Sequence, residues 1–224
     1  MRKVVAVSCL IVLLVSPLAA QQPAAQPQGQ QGLTDAMVQT AAIEVPRLVE
    51  ILQLKPGMTV ADVGAGFGAW TVAFGKWIGP SGRVYATDIG EKQLAFLKQS
   101  TAQAGLTNVT VLAGAERATN LPANCCDGIL IRDAFHHFTQ PSDFLRSVAA
   151  SLKPGARLAL IDFPPRPKTE VPAGVPANRL GHGVPMDVVI SEMTAAGLTN
   201  VSSEPKWSEK SQPNDLFLVV FRKP

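Results

Sequence analysis

Cysteine is scarce in this chain, and its placement excludes two architectures. Only Cys9, Cys125 and Cys126 occur among 224 residues. Two neighbours and one distant residue make no disulfide framework, and they lack the spacing of a metal-ligand set, so no metal site is expected. Charge of one sign is equally thin. Twenty lysines and arginines face 17 aspartates and glutamates, a net +3, scattered without a block or stripe. No nucleic-acid partner is expected from that pattern. A membrane-spanning run is also missing, since the apolar stretch Val4–Val15 falls short of the roughly 20 residues a span needs. No internal repeat and no second domain are visible.

What is present begins with a basic pair, Arg2 and Lys3, ahead of that apolar stretch and of Ser16-Pro17-Leu18-Ala19-Ala20. Basic start, short apolar run and small-residue end read as a secretory signal peptide over 1–20. Cys9 lacks a lipobox, so a lipoprotein is not expected. Residues 21–33, QQPAAQPQGQQGL, are uncharged and too polar to bury a core, and read as a flexible linker. The expected organisation is thus a leader, a tether and one domain over 34–224, exported to a periplasmic or external space. Membrane contact is expected only transiently, through the leader. A mis-assigned start would instead leave the domain cytoplasmic.

From Thr34 onward, helical and strand patterns alternate. Thr34 or Asp35 can cap a helix to about Leu54, with Ala41, Val45, Leu48 and Ile51 at helical spacing. Strands are expected at 59–63, 83–87, 109–112, 128–131 and 157–161, with helices at 69–78, 91–104 and 141–152 between them. Lys153-Pro154-Gly155 reads as a turn. A Pro-rich excursion over 163–176 is followed by a helix near 186–196 and a final strand pair near 200–203 and 216–221. Such alternation predicts an α/β, Rossmann-like doubly wound sheet of seven strands, mostly parallel with an antiparallel last strand.

The first strand runs into VADVGAGFGAW, residues 60–70. Gly64, Gly66 and Gly68 permit left-handed backbone and clear Cβ atoms from a ligand's path. The third glycine comes one residue too early for a dinucleotide fingerprint, which disfavours a nicotinamide oxidoreductase. No Gly-Lys-Ser/Thr closes the loop, which excludes a P-loop. Asp62 precedes the loop, and Asp88 ends the second strand in VYATDIG. Two carboxylate oxygens there can accept a vicinal diol.

In order along the chain, D-x-G-x-G-x-G, VYATDIG, NLPANCCDGILIRDAFHHF, SLKPGARLALIDF and SEMTAAGLTNV resemble the motifs of class I S-adenosylmethionine-dependent methyltransferases. The resemblance spans about residues 40–222, and it is similar in particular to small exported members with a His-His pair after strand four. It implies S-adenosylmethionine as cofactor. It places Asp62, Gly64, Gly66 and Gly68 at the methionine moiety and ribose, Asp88 on the ribose hydroxyls and Ile89 against the adenine. Ala115 stands where many relatives carry aspartate, and Glu116 is the nearest substitute. Asp133, His136 and His137 follow strand four on the cofactor side as candidate base or acceptor-positioning groups. Arg132 could also touch the cofactor, and His182 in GHGVP could line the acceptor side.

Plainer roles compete for each residue. Asp62 could cap its loop, Asp127 could order local backbone, Trp70 could be core, and either histidine could bond the loop. The acceptor is expected to be a small molecule, with lipid-like or quinone-like compounds conceivable. There is no (D/N)PP(Y/F) run for a nucleic-acid amine methylase. A non-catalytic S-adenosylmethionine- or nucleoside-binding protein is the competing functional reading, motivated by export away from the compartment that makes the cofactor.

Overall fold

A computed structural model describes residue 1 and residues 32–166, 168–207 and 215–224. The leader and nearly all of the tether lie outside the described residues, as does most of the stretch joining the last two strands. Among the described residues no helix is long and apolar enough to cross a membrane.

Helix α1 (Asp35–Ile51) starts where Thr34 Oγ1 accepts the Met37 N–H, and it buries Ala41, Val45 and Leu48. It ends three residues earlier than expected. Gln53 takes φ +57°, and the amides of Gln53 and Leu54 turn back to the carbonyls of Glu50 and Val49. That pair of bonds is a Schellman close, which a non-glycine residue here makes without the usual sequence signal.

The following elements are β1 (Thr59–Val63), α2 (Ala69–Ile78), β2 (Arg83–Asp88), α3 (Glu91–Gln103), β3 (Val109–Ala113) and β4 (Cys126–Arg132). Then come α4 (Pro141–Ser151), β5 (Leu152–Asp162), α5 (Met186–Ala195), β6 (Thr199–Glu204) and β7 (Phe217–Arg222). The strands form one seven-stranded sheet in the order β3-β2-β1-β4-β5-β7-β6. All neighbouring pairs are parallel except those of β7, which runs antiparallel to both β5 and β6. This is the Rossmann-like doubly wound sheet that the alternation predicts.

One local expectation is corrected. Lys153-Pro154-Gly155 lies inside β5, because Leu152 already pairs with Cys126. A register shift between Cys126 and Gly128 and a φ of +79° at Gly155 absorb the kink that reads as a turn in sequence. Cys125 and Cys126 are joined as a vicinal disulfide.

Successive strand residues feed opposite faces, as pleating requires. Ile129 and Ile131 pack with Leu145, Val148, Val189 and Met193 of α4 and α5. Leu130, between them, packs on the other face with Leu48, Phe74 and Ile78 of α1 and α2. Because β1 and β4 are neighbours whose connections leave in opposite directions, the loops after them open at one carboxyl edge. A doubly wound sheet binds its ligands there.

Candidate active site

The loop after β1 explains its alternate glycines. Gly64, Gly66 and Gly68 all adopt positive φ, at +72°, +55° and +91°. They differ in what surrounds them. A Cβ on Gly64 would lie 2.5 Å from the Ala134 Cβ, so this glycine permits packing of the loops after β1 and β4. A Cβ on Gly66 would meet no atom within 4 Å and would stand in open cleft. Gly68 starts α2, close against Leu97.

Asp88 ties this loop to the next. Its Oδ2 accepts the Gly66 N–H at 3.0 Å and its Oδ1 accepts the Gly90 N–H at 3.0 Å. The carboxylate is thereby fixed on the wall of a cavity of about 430 Å³, a volume typical of small-ligand sites. Ile89, an apolar side chain 61 % exposed, lines the same cavity. So does Glu116, on a tight turn closed by paired backbone bonds between Ala115 and Ala118.

A second cavity of about 420 Å³ lies on the other side of Gly66 and is lined by Asp62, Trp70 and Arg132. Asp62 is 3 % exposed and accepts the Thr71 hydroxyl at 2.6 Å, which aligns loop and helix. Burial pushes its carboxyl up to about 6, against the lowering effect of the Thr71 bond. Below the cavity, Arg132 donates twice to the Glu44 carboxylate, from Nε at 2.8 Å and from Nη2 at 3.1 Å. Trp70 Nε1 donates to the same carboxylate at 2.8 Å, and the guanidinium lies 3.9 Å from the Trp70 ring centroid. Trp70 is therefore half core and half cavity wall, and Arg132 is oriented by α1. Asp127, by contrast, accepts the Thr59 N–H and pairs with Lys153 at the far end of the strands, away from the cleft.

Asp133 follows β4 with φ +54°, a left-handed conformation uncommon outside glycine, and its N–H is held by the Ile161 carbonyl. Non-glycine residues in that region are concentrated at functional sites. The turn places Asp133 on both cavities and on a third, of about 330 Å³, that also contains His136, His137, Phe163, Arg166 and His182. Partial burial, together with the charge of Asp162, holds the Asp133 carboxyl above its usual range.

His136 is buried. Asp162, at the end of β5, accepts its backbone N–H at 3.1 Å and lies 2.8 Å from its Nδ1. His137 is exposed and lines both the first and the third cavity. Partial burial first, and then the neighbouring His136 and His182 rings, push its imidazole down to about 4. It is therefore neutral near pH 7.

The geometry thus brings together Gly64, Gly66, Asp88, Ile89 and Glu116 on one cavity. Asp62 and Gly68 face the second, and the three histidines and Asp133 meet at the third. Glu44, Asp162 and Phe163 escaped the sequence reading. The signal for Glu44 was a carboxylate on the apolar stripe of α1, one residue before Val45.

Comparison with known proteins bears on the fold that carries this site. Residues 60–155 match a family model described as a methyltransferase domain. The match covers β1 to the first part of β5, so the part of the chain that carries the glycine loop resembles a methyltransferase domain. A SAM-dependent methyltransferase from Aquifex aeolicus superposes with a TM-score of 0.65 at 29 % identity, covering 80 % of this chain and 89 % of that one. The ubiquinone/menaquinone biosynthesis C-methyltransferase UbiE of Bordetella parapertussis is 32 % identical over 120 residues, 54 % of this chain and 46 % of that protein. The same enzyme of Burkholderia mallei is 31 % identical over 110 residues, 49 % and 45 % of the two chains. The chain spans about half the length of these curated relatives.

Proposed function

We propose that the chain transfers a methyl group from S-adenosylmethionine to a small acceptor bearing a phenol- or quinol-like ring. The observation that carries this reading is the position of Asp133, where both cofactor-side cavities meet the histidine-lined one. The donor set suits the cofactor. Asp88, oriented by two backbone amides, keeps lone pairs for ribose hydroxyls. Ile89 offers an apolar face to the adenine, and Glu116 stands within the same cavity for its amine. Asp62, facing the second cavity, offers a carboxylate to the ammonium of the methionine moiety. Gly66, between the two, leaves room where a side chain would intrude.

Bound there, S-adenosylmethionine supplies a methyl group on a positively charged sulfur, which is already a leaving group. The protein's task is alignment, which can remove about 7–11 kcal/mol of barrier. Asp133 stands where an acceptor hydroxyl would release its proton, with His137 beside it and His136 locked by Asp162. Phe163 lines the third cavity, and Phe138 and Phe144 line the first beside His137, so aromatic rings border Asp133 and His137 from both cavities. The UbiE relatives, by their names, act in ubiquinone and menaquinone biosynthesis, which supports a ring of this kind.

The test is release of S-adenosylhomocysteine with a panel of quinols and catechols. Turnover on at least one acceptor is expected, with Asp133→Ala reducing it by about 10²–10⁴-fold. A chain that binds the cofactor but turns over none of the panel would favour the non-catalytic binding protein instead. We also propose that residues 1–20 direct export. Mature protein from its host should then begin near Gln21, and a protein that still begins at Met1 overturns this.

A further inference from the structure

Sequence spacing offers no metal-ligand set, yet the fold assembles one from two distant segments. His182 arrives 45 residues after His137, on the return of the Pro-rich excursion. Its position is fixed on three sides. The Arg166 N–H donates to the His182 carbonyl at 3.0 Å, the His182 N–H donates to Thr169 Oγ1 at 2.9 Å, and Val184 N–H donates to the Phe163 carbonyl at 3.0 Å. The glycines on either side make this possible. A Cβ on Gly183 would lie 2.6 Å from the Pro164 carbonyl oxygen, so only glycine lets the chain press His182 onto the segment after β5.

His182 thereby meets the His-His pair. Ring centroids are 4.0 Å apart for His136 and His137, 5.0 Å for His136 and His182, and 5.5 Å for His137 and His182. One nitrogen from each lies within 4.8 Å of the others. A tetrahedral ion bound at about 2.0–2.1 Å separates its nitrogens by roughly 3.3–3.4 Å, so small ring rotations close the set. Two further observations point to a ligand. His182 Nε2 is buried without a hydrogen-bond partner, a state that buried polar atoms rarely keep. His136 Nδ1 is bonded to the fully buried Asp162, the carboxylate–histidine pairing that orients metal ligands through their other nitrogen.

We propose that His136, His137 and His182 form a site for a divalent first-row transition cation, best matched by Zn²⁺, with Asp162 orienting His136. The charge balance suits a dication. Asp133 groups with His136 and Asp162 within the same 4.8 Å limit and offers a further oxygen. Of the cations nearby, Arg166 is held over the Phe163 ring and paired with Asp215, and Arg132 is paired with Glu44. Three imidazoles and one open position are the ligand set of a catalytic rather than a closed structural site. That open position faces the cavity shared with Asp133. If the methyl-transfer reading holds, it is filled by an oxygen or sulfur of the acceptor. Binding of the ion itself does not depend on that reading.

The experiment titrates untagged full-length chain, stripped of metal and free of cofactor, with Zn²⁺ against a chromophoric chelator. It repeats the titration with Co²⁺, reading visible absorption. One equivalent should bind tightly, with His182→Ala and His137→Ala each weakening it by at least about 100-fold and Asp162→Asn by about 10–100-fold. Visible Co²⁺ bands should vanish in both histidine variants. His137 is exposed, so its variant decides the matter should His182→Ala unfold. Absence of stoichiometric binding to the wild type, or binding undiminished in His137→Ala, overturns the site. Neither outcome bears on cofactor binding, which is measured separately.

Discussion

Glu44→Ala is expected to destabilise the domain by about 3–5 kcal/mol, because it breaks a buried pair in which the carboxylate accepts two Arg132 hydrogen bonds. Glu44 is 2 % exposed and Arg132 8 %. The same substitution removes the acceptor of the Trp70 indole. Against a total of about 5–15 kcal/mol for an ordinary domain, this is a large share. For a chain of this size it corresponds to a fall in melting temperature of roughly 6–20 °C. Urea denaturation of the two proteins reads it directly. A loss under about 1 kcal/mol would mean the pair is solvated and does not anchor α1 to β4. The double variant Glu44→Leu with Arg132→Met should recover much of the loss, since an apolar pair replaces the ions at similar volume.

Gly66→Val should abolish measurable cofactor binding while leaving the fold in place. The left-handed backbone at φ +55° costs a side chain about 1–2 kcal/mol, which the domain can bear. Its Cβ meets nothing in the protein, so the isopropyl group enters the space shared by the two cofactor-side cavities. A loss of more than about 100-fold in affinity is expected, on the order of 3 kcal/mol. Gly64→Ala makes the contrast. It drives a methyl group against Ala134, so its first effect is on stability rather than on affinity. Calorimetry and denaturation of both variants separate the roles, and wild-type affinity in Gly66→Val would remove this loop from the site.

The succession of elements and the glycine loop were legible because their signals are local. A buried parallel strand is a short apolar run, and left-handed turns select glycine, so β1, the loop and the start of α2 fall where 59–70 predict them. Asp88 was legible for a similar reason, as a carboxylate closing an apolar strand. What escaped depends on contacts across the chain. Glu44 and Arg132 are 88 positions apart, and nothing in either neighbourhood announces the other. Asp162 sits at the end of β5 within the quoted LALIDF, yet its partner His136 lies on another loop. His182 was singled out with a general place on the acceptor side, and only the packed excursion reveals that it closes a three-imidazole cluster. The turn expected at Lys153-Pro154-Gly155 failed because pairing with β4 overrides local turn preference.

The central claim is that the cleft between the loops after β1, β2 and β4 is built for S-adenosylmethionine. Titration calorimetry of the full chain with S-adenosylmethionine, S-adenosylhomocysteine and NAD tests it most directly. Saturable one-to-one binding of the first two, with no heat from NAD, is the predicted result. Binding of NAD with no heat from either sulfur compound would contradict the account.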